Sequence, residues 1–465
     1  MIGNGKRLAV AALALAAATA PATAAYASPS AYASPKAYVS PSTYASSAAS
    51  ASADAAAPIG ALDRIAHPLR STEPGTGTAD LRALGAMVGD AKVVGVGEAT
   101  HGSHEFFALK DRLFRYLVEQ KGFTTFALEI SWSAGLRIDD YLQHGDDDRD
   151  ARQVVHEVMA GSPWDREEFV TLVQWMRDHN RQHPDRPVHF LGDDIGAPRL
   201  DERVFDSVTE YVRRTCPESL PSLNELLTGL RPLDDAIAYL DRPLAERQGN
   251  AAKAQRVLDL VQRQGSGGGQ DFEYVLQNAR NIAQTYTFLS VNPGDQESLT
   301  AMERYRDQVM AETTAWWQRR TGGRILLSAH DDHVGYISSD PTTYPKTQGS
   351  FLRDTLGAGY LAIGATFDRG SFLSKDAALG GEWKKFTVDP AGPGTNEDTL
   401  DRVRYRDYYA DLRKSPASAR SCLDVSRPTF SVGTQYPVGG TPEIAIGRAY
   451  DVLVHLHTVR EARKL

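Results

Sequence analysis

The 465-residue sequence has little cysteine: Cys216 and Cys422 are the whole complement. Two cysteines can pair in an oxidising compartment or stay as separate buried thiols, and the sequence leaves both readings open. Both lie far along the chain from the polar motifs described below. We therefore expect neither thiol to act as a catalytic nucleophile.

Clustered charge of one sign is also lacking. The formal net charge is -8, from 51 basic and 59 acidic residues, and neither end carries a charged tail. Because nucleic-acid binding usually depends on clustered lysine and arginine, we expect no nucleic-acid partner. A small-molecule ligand is the remaining kind of partner to look for.

Long apolar runs are missing except near the amino terminus. Lys6 and Arg7 precede an apolar stretch over 8–20, and small residues follow it. This pattern predicts a signal peptide over 1–27, and hence a secreted protein with no membrane segment after cleavage. Residues 28–57 continue a Tyr-Ala-Ser-Pro repeat rich in Ser, Ala and Pro, which predicts a disordered linker.

From residue 58 to 465 short apolar runs alternate with helical patterns, which is typical of βαβ units. Helical spacing from Ser103 to Gly122 predicts one crossover helix between the first two strands. We therefore predict an α/β fold with a central, mostly parallel sheet flanked by helices. The predicted strands cover 92–96, 124–129, 187–191, 324–328, 360–367 and 452–459.

Residues 200–318 carry only helical patterns. We predict that they form a helical insertion over the carboxyl edge of the strands. The insertion is either a lid or an outer helical layer that does not move.

Four polar clusters follow predicted strands, where open α/β sheets bind ligands. Glu98 and His101 lie in a glycine-containing loop after the first strand, and Glu129 ends the second. The third cluster is Gly192-Asp193-Asp194, and the fourth contains His330 and His333. Because neighbouring parallel strands are about 5 Å apart, we expect Glu98, His101, Glu129, His330 and His333 to converge.

Several standard motifs are absent from these clusters. The first loop lacks the Gly-Lys-Ser/Thr ending of a P-loop, and the chain has no Gly-x-Ser-x-Gly elbow for a serine nucleophile. Two chemistries stay open. His330 and His333 can bind zinc together with Glu98 or His101, although no His-Glu-x-x-His helix is present. Alternatively, a neutral imidazole takes a proton from water while a carboxylate orients the ring.

Other polar residues have a plainer interpretation. For Asp193, Asp331, Asp332 and His104 we favour a cap or an ordinary satisfied group over a role in catalysis. Lys110 lies two helical turns beyond Ser103. It either pairs with Glu98 or Glu129 or faces solvent.

The ordered set of motifs resembles the erythromycin esterase family. The corresponding segments here are Gly-Glu-Ala-Thr-His-Gly over 97–102, Ala-Leu-Glu over 127–129 and His-Asp-Asp-His over 330–333. Shorter similarities extend over almost all of 58–465, and they include 306–312, 349–353 and 451–455.

This resemblance implies hydrolysis of a macrolide lactone without a cofactor or a metal. His101 would be the base for the attacking water, and Glu98 and Glu129 would orient and polarise it. His330 and His333 would bind substrate or stabilise the oxyanion. Lys110, which stands where some relatives have arginine, is assigned to the same substrate-binding group.

Since substrate choice depends on the walls of the pocket, and since a secreted enzyme would not protect cytosolic ribosomes, we expect an esterase-like hydrolase acting on a macrolide lactone or a related ester. The alternatives are a zinc-dependent hydrolase that uses the same histidines and a non-catalytic binding protein on the same fold.

Overall fold

The computed structural model describes residues 58–465 apart from 146–148, 266–268, 293, 378–380 and 438–441. The predicted signal peptide and linker lie outside the described residues. Within the described part, no helix is both long enough and apolar enough to cross a bilayer.

A ten-stranded mixed sheet forms the centre of the molecule, in the order β1-β8-β12-β6-β2-β5-β3-β4, with β7 and β10 also paired to β6. Two further short strands, β9 and β11, pair only with each other. The strands are β1 (Ala66–Pro68), β2 (Val93–Val96), β3 (Phe123–Ser131), β4 (His189–Asp194), β5 (Arg324–Ser328), β6 (Tyr360–Asp376), β7 (Trp383–Val388), β8 (Tyr408–Asp411), β9 (Arg427–Pro428), β10 (Gln435–Tyr436), β11 (Glu443–Ile444) and β12 (Val452–Val459).

The six central strands, from β12 to β4, are all mutually parallel. They coincide with the six predicted strands, so the α/β fold class with a mostly parallel sheet is confirmed. Apolar side chains alternate between the two faces: Ile325 and Leu327 of β5 enter one hydrophobic cluster, and Leu326 enters the other. Both faces of the sheet are therefore covered, as parallel sheets require.

Seventeen α-helices lie in the described residues. They are α1 (residues 58–65), α2 (Arg82–Val88), α3 (His104–Lys121), α4 (Trp132–His144), α5 (Ala151–Met159), α6 (Glu167–Gln182), α7 (Glu202–Thr215), α8 (Leu220–Leu227), α9 (Ala236–Tyr239), α10 (Leu244–Arg263), α11 (Gly269–Phe288), α12 (Gln296–Thr321), α13 (Asp331–Val334), α14 (Gln348–Leu356), α15 (Asn396–Leu400), α16 (Ala417–Leu423) and α17 (Ile446–Ala449).

The helix α3 is the predicted crossover helix. Ser103 is its N-cap residue, and Gly122 ends it in the left-handed conformation at φ 68°. The hydroxyl of Ser103 does not cap the helix, because it bonds to the Thr100 hydroxyl at 2.7 Å instead. The N-cap of α3 therefore stiffens the preceding loop, which carries Glu98 and His101.

The segment between β4 and β5 is helical in the described residues apart from isolated bridges, and it contains α7 to α12. Its last helix, α12, packs against β4 and α14. This contact brings one face of α12 to the carboxyl ends of the strands, beside Asp193 and Asp194 of β4.

Two glycines allow α4 to pack closely on β4. A Cβ atom added to Gly135 would lie 2.0 Å from the backbone nitrogen of Gly192, which is far inside van der Waals contact. Gly192 immediately precedes Asp193 and Asp194, so this close approach also sets the position of both carboxylates.

We expect Gly135→Ala to lower the free energy of unfolding by about 1–3 kcal/mol, because the added methyl group must push backbone apart. Gly249→Ala is the matched control: Gly249 lies inside α10 with nothing within 4 Å of its added Cβ atom. There the same change should stabilise by about 0.5–1 kcal/mol. Urea unfolding of both variants measures the difference, and equal effects would contradict the close-packing explanation.

Candidate active site

The site is built where three adjacent parallel strands end. β2 ends at Val96 and is followed by the loop that carries Glu98 and His101. The pairing of β3 with β5 reaches Leu128 opposite Ser328, and Glu129 lies directly beyond it. His330 follows two residues after β5. The structure thus brings the predicted residues together at the carboxyl edge of the sheet.

Lys110, Glu98 and His101 form a buried chain of polar contacts. Lys110 Nζ donates to Glu98 Oε2 at 2.5 Å and to the carbonyl oxygen of Ala329 at 3.2 Å. His101 Nδ1 lies 2.7 Å from Glu98 Oε1. Burial raises the pKa of Glu98, but the Lys110 ammonium and the contact with His101 lower it further than burial raises it. Glu98 is therefore an ionised carboxylate.

This contact determines the tautomer of His101. An ionised carboxylate only accepts hydrogen bonds, so the proton of the neutral ring lies on Nδ1. The lone pair is then on Nε2, on the other side of the ring. A carboxylate that holds an imidazole in this way also stabilises the imidazolium form, as in the Ser-His-Asp arrangement.

A second charged network surrounds Glu129, which is fully buried. Arg306 of α12 donates to Glu129 Oε1 at 3.0 Å, and its Nε and Nη2 atoms bind both oxygens of Asp194 at 2.5–3.1 Å. The backbone N–H of His330 donates to Glu129 Oε2 at 3.0 Å. Burial raises the pKa of Glu129, yet the neighbouring cations hold it well below its usual value.

His333 belongs to this second network. Its Nδ1 lies 2.7 Å from Asp307 Oδ1, and its Nε2 lies 3.3 Å from Glu129 Oε1. Burial lowers the pKa of His333, but the two carboxylates raise it well above the usual value. Since carboxylates occupy both ring nitrogens, a charged His333 anchors Glu129 and has no free nitrogen for a ligand.

In contrast to His333, His330 is held in its neutral form. Its Nδ1 accepts a hydrogen bond from the backbone N–H of Asp332 at 3.2 Å, so the neutral ring carries its proton on Nε2. That Nε2 atom is buried and has no hydrogen-bond partner. Burial and the nearby His101 lower the pKa of His330 to about 4. The ring centroids of His101 and His330 are 5.1 Å apart.

The other polar residues of the clusters are bound by groups of the protein itself. Of the two carboxylates considered as partners for Lys110, Glu98 is the one it binds. Asp332 accepts from Ser338, Ser339 and Ser431, His104 bridges Glu168 and Glu73, and Asp331 accepts from the Ala365 N–H. Asp193 is fully buried beside Thr314 and Gln348, and burial raises its pKa well above the usual value.

A cavity of about 460 Å³ adjoins Glu129 and Asp194 of the second charged network. Glu129, Asp194 and Trp164 are among its lining residues, and the Trp164 ring makes an edge contact with His101 at a centroid distance of 5.7 Å. Its apolar lining comes from Ile130, Ala134, Val158 and Pro198, and charged side chains line the rest. The volume falls within the range of sites for small organic ligands.

Metal-ligand geometry occurs elsewhere in the described residues. Asp368, Asp401 and His457 bring ligand atoms within 4.8 Å of one another, and this group includes no predicted site residue. Within the predicted site, Glu98 occupies one nitrogen of His101, and carboxylates occupy both nitrogens of His333.

The cysteines Cys216 and Cys422 are free thiols in the structure. Of the two possibilities that the sequence allowed, a disulfide and two separate thiols, the structure therefore has the second.

Arg306, Asp307 and Trp164 are the important residues to which the sequence analysis assigned no role. A signal existed for two of them: Glu303, Arg306 and Asp307 lie on the same face of α12 as Met310, at positions normally filled by apolar residues. Charged residues on the buried stripe of a long helix indicate a buried ionic network. Trp164 lies in a loop, where no periodicity marks it.

Comparisons with known proteins agree with this architecture. The sequence profile of the erythromycin esterase family matches residues 118–459, which is well over half of the chain. The matched region contains Glu129, His330 and His333 and begins after Glu98, His101 and Lys110. The chain belongs to the erythromycin esterase family, and membership indicates a hydrolase of the esterase class.

Individual relatives are distant. An Escherichia coli protein, erythromycin esterase type II, is 23% identical over 396 residues, which are 77% of this chain and 90% of that protein. The putative hydrolase YbfO of Bacillus subtilis (strain 168) is 23% identical over 269 residues, 55% of this chain and 58% of that protein.

Solved structures share the fold. A Bacillus cereus protein superposes with a TM-score of 0.80 at 28% identity, covering 88% of this chain and 99% of that one. A succinoglycan biosynthesis protein gives 0.77 at 27% identity, covering 88% and 98%. A mutant of the erythromycin esterase EreC in its open conformation gives 0.67 at 17% identity, covering 83% and 96%.

The contact between Lys110 and Glu98 generates a stability prediction. Lys110→Met would leave a buried carboxylate without its cation, and we expect the free energy of unfolding to fall by about 3–5 kcal/mol. Adding Glu98→Gln to that variant should recover part of the loss, because the orphaned charge is then absent. Lys92 is exposed and makes no ion pair in the described structure, so Lys92→Met should change stability by less than about 0.5 kcal/mol. Thermal or urea unfolding of the four proteins measures these effects.

Proposed function

We propose that the protein is an exported ester hydrolase in which His101 activates a water molecule and His330 stabilises the oxyanion. One observation carries the proposal: two adjacent imidazoles have their Nδ1 atoms held in opposite senses. Glu98 accepts from His101, whereas the backbone N–H of Asp332 donates to His330. One ring therefore offers a lone pair on Nε2, and the other offers an N–H.

These two groups are the base and the electrophile that ester hydrolysis requires. Nε2 of His101 takes a proton from water as the water oxygen bonds to the ester carbonyl carbon. The carbonyl oxygen becomes an oxyanion, which accepts a hydrogen bond from Nε2–H of His330. As the tetrahedral intermediate collapses, the C–O bond of the ester breaks, and the His101 imidazolium protonates the departing alkoxide. The products are a carboxylic acid and an alcohol.

The carboxylates have separate tasks in this scheme. Glu98 orients His101 and stabilises its cationic form, and Lys110 keeps Glu98 ionised without touching substrate. Glu129 lines the cavity, and its Oε2 has one described contact, with the His330 amide. Because each carboxylate oxygen has two acceptor sites, Oε2 can also accept from the attacking water. Arg306 and His333 fix the position of Glu129.

The substrate we propose is a macrolide lactone or a related ester. Support comes from family membership, from the Escherichia coli relative named erythromycin esterase type II, and from a partly apolar cavity lined by Glu129 and by Trp164, whose ring contacts His101. Export rests on the basic and apolar pattern of residues 1–27. Asp234 and Asp235, from the helical segment between β4 and β5, also line the cavity, so we expect this segment to contribute to substrate selection.

His101→Asn should lower kcat by about 10²- to 10⁴-fold, because asparagine cannot accept a proton from water. Incubation with erythromycin and simple aryl esters, followed by mass spectrometry, should show products that gain one water with the unaltered protein. His67→Asn is the control, since His67 is exposed and stacks on Tyr409 away from the site. Full turnover by His101→Asn would refute the assigned base.

Chelation tests the zinc alternative. In the proposed reaction His101 acts as a base through Nε2, so activity should persist after dialysis against EDTA and should not rise when Zn²⁺ is added back. Elemental analysis of the dialysed enzyme establishes that it is free of metal. Loss of activity on chelation and its recovery with Zn²⁺ would favour the metal-dependent hydrolase instead.

A further inference from the structure

Two buried cations share one aromatic ring beside the proposed active site. The guanidinium carbon of Arg166 lies 4.6 Å from the centre of the Trp383 ring, and Nζ of Lys375 lies 5.6 Å from it. Arg166 is 4% exposed and Lys375 is 2% exposed. We call these two residues, together with Trp383, the cation cluster.

Three donor nitrogens of the two cations lack acceptors. Lys375 Nζ and the Nε and Nη2 atoms of Arg166 are buried without a hydrogen-bond partner. Arg166 Nη1 alone is bound, to the carbonyl oxygen of Asp165 at 2.6 Å. No carboxylate in the described residues lies within ion-pair distance of either cation, and Asp165 and Glu168 act on Arg166 only by electrostatic attraction over a longer distance.

This arrangement is unusual, because a buried charge normally has a partner. Burial lowers the pKa of Arg166 to about 10, and burial together with the charge of Arg166 lowers the pKa of Lys375. Lys110 provides the contrast within the same protein: it is equally buried, and it binds the carboxylate of Glu98 directly. A bound anion would supply the missing acceptor and the missing negative charge together.

The cation cluster borders the cavity already described. The indole N–H of Trp383 donates to the carbonyl oxygen of Gly161 at 3.3 Å, and Gly161 lines that cavity. Trp164 also lines it, and the Trp164 indole N–H is a further buried donor without a partner. On the other side, the Lys375 N–H donates to the carbonyl oxygen of Thr434, whose neighbour Gly433 lies against His101.

We propose that Arg166 and Lys375 bind an anionic group, a carboxylate or a phosphate, carried by the ester substrate. This inference rests on the proposed function, because it places the anion beside His101. Trp383 covers the cluster and is itself partly exposed, so the anionic group enters when the indole turns away from Gly161. Of the substrates proposed above, the cation cluster therefore favours an ester with a negatively charged substituent over a macrolide lactone without one.

Binding of inorganic phosphate tests the anion site without any need for catalysis. At constant ionic strength, millimolar phosphate should raise the melting temperature of the unaltered protein and give a saturable calorimetric titration. Lys375→Met should abolish that titration. It should fold normally, since it removes an unpaired buried charge. Lys384→Met is the matched control: it removes one charge from the same hairpin, but Lys384 is 39% exposed and pairs with Asp376.

Substrate selectivity tests whether the anion belongs to the substrate. We compare kcat/KM for p-nitrophenyl butyrate, which is neutral, with that for p-nitrophenyl hemisuccinate, which carries a carboxylate. The ratio of the charged to the neutral ester should fall at least tenfold in Lys375→Met and should be unchanged in Lys384→Met.

The outcomes are distinguishable. Phosphate binding that Lys375→Met abolishes, with the fall in ratio, supports the whole inference. Phosphate binding with an unchanged ratio overturns the substrate assignment and leaves a site for free phosphate. Absence of saturable phosphate binding and an unchanged ratio overturn the inference. If neither these esters nor macrolides are hydrolysed, the proposed function fails, whereas the phosphate titration still decides whether the cation cluster binds anions.

Discussion

The need to neutralise buried charge at one edge of the sheet governs the rest of the site. Glu98 and Glu129 are buried. An unpaired carboxylate in a buried position would lower the stability of the fold by several kcal/mol. Each is ionised because cations reach it from other elements: Lys110 from α3, and Arg306 from α12. The positions of those helices are therefore tied to the chemistry, because moving either one would leave a charge unpaired.

The same constraint gives three neighbouring histidines different properties. His333 lies between two carboxylates and is held in its charged form, whereas His330 is buried beside another imidazole and has a pKa lowered to about 4. His101 has one carboxylate on one nitrogen. Identical side chains within one site thus have different tasks, set by which groups face each nitrogen. The cation cluster around Trp383 is the exception, since neither of its cations forms an ion pair with a carboxylate in the part of the chain that the structure describes.

Much of this arrangement could be predicted from the residues alone. The six parallel strands were recognisable because strands covered on both faces are short apolar runs, and β2 and β5 illustrate this. Glu98, Glu129 and His330 could be placed together because they follow such runs, and parallel strands carry their carboxyl ends to one edge. The short antiparallel strands β1 and β8 were missed, since three or four residues give no clear periodicity.

What the sequence by itself determined is the parallel sheet and the set of polar residues at its carboxyl edge, because both follow from local patterns of apolar residues along the chain. Tertiary structure alone decided which nitrogen each histidine uses, that Lys110 and His333 support carboxylates, and that Arg306 completes the site from a helix more than a hundred residues beyond Asp194. Hydrogen bonds and ion pairs act over about 3 Å between groups remote in sequence, and no local pattern encodes such distances.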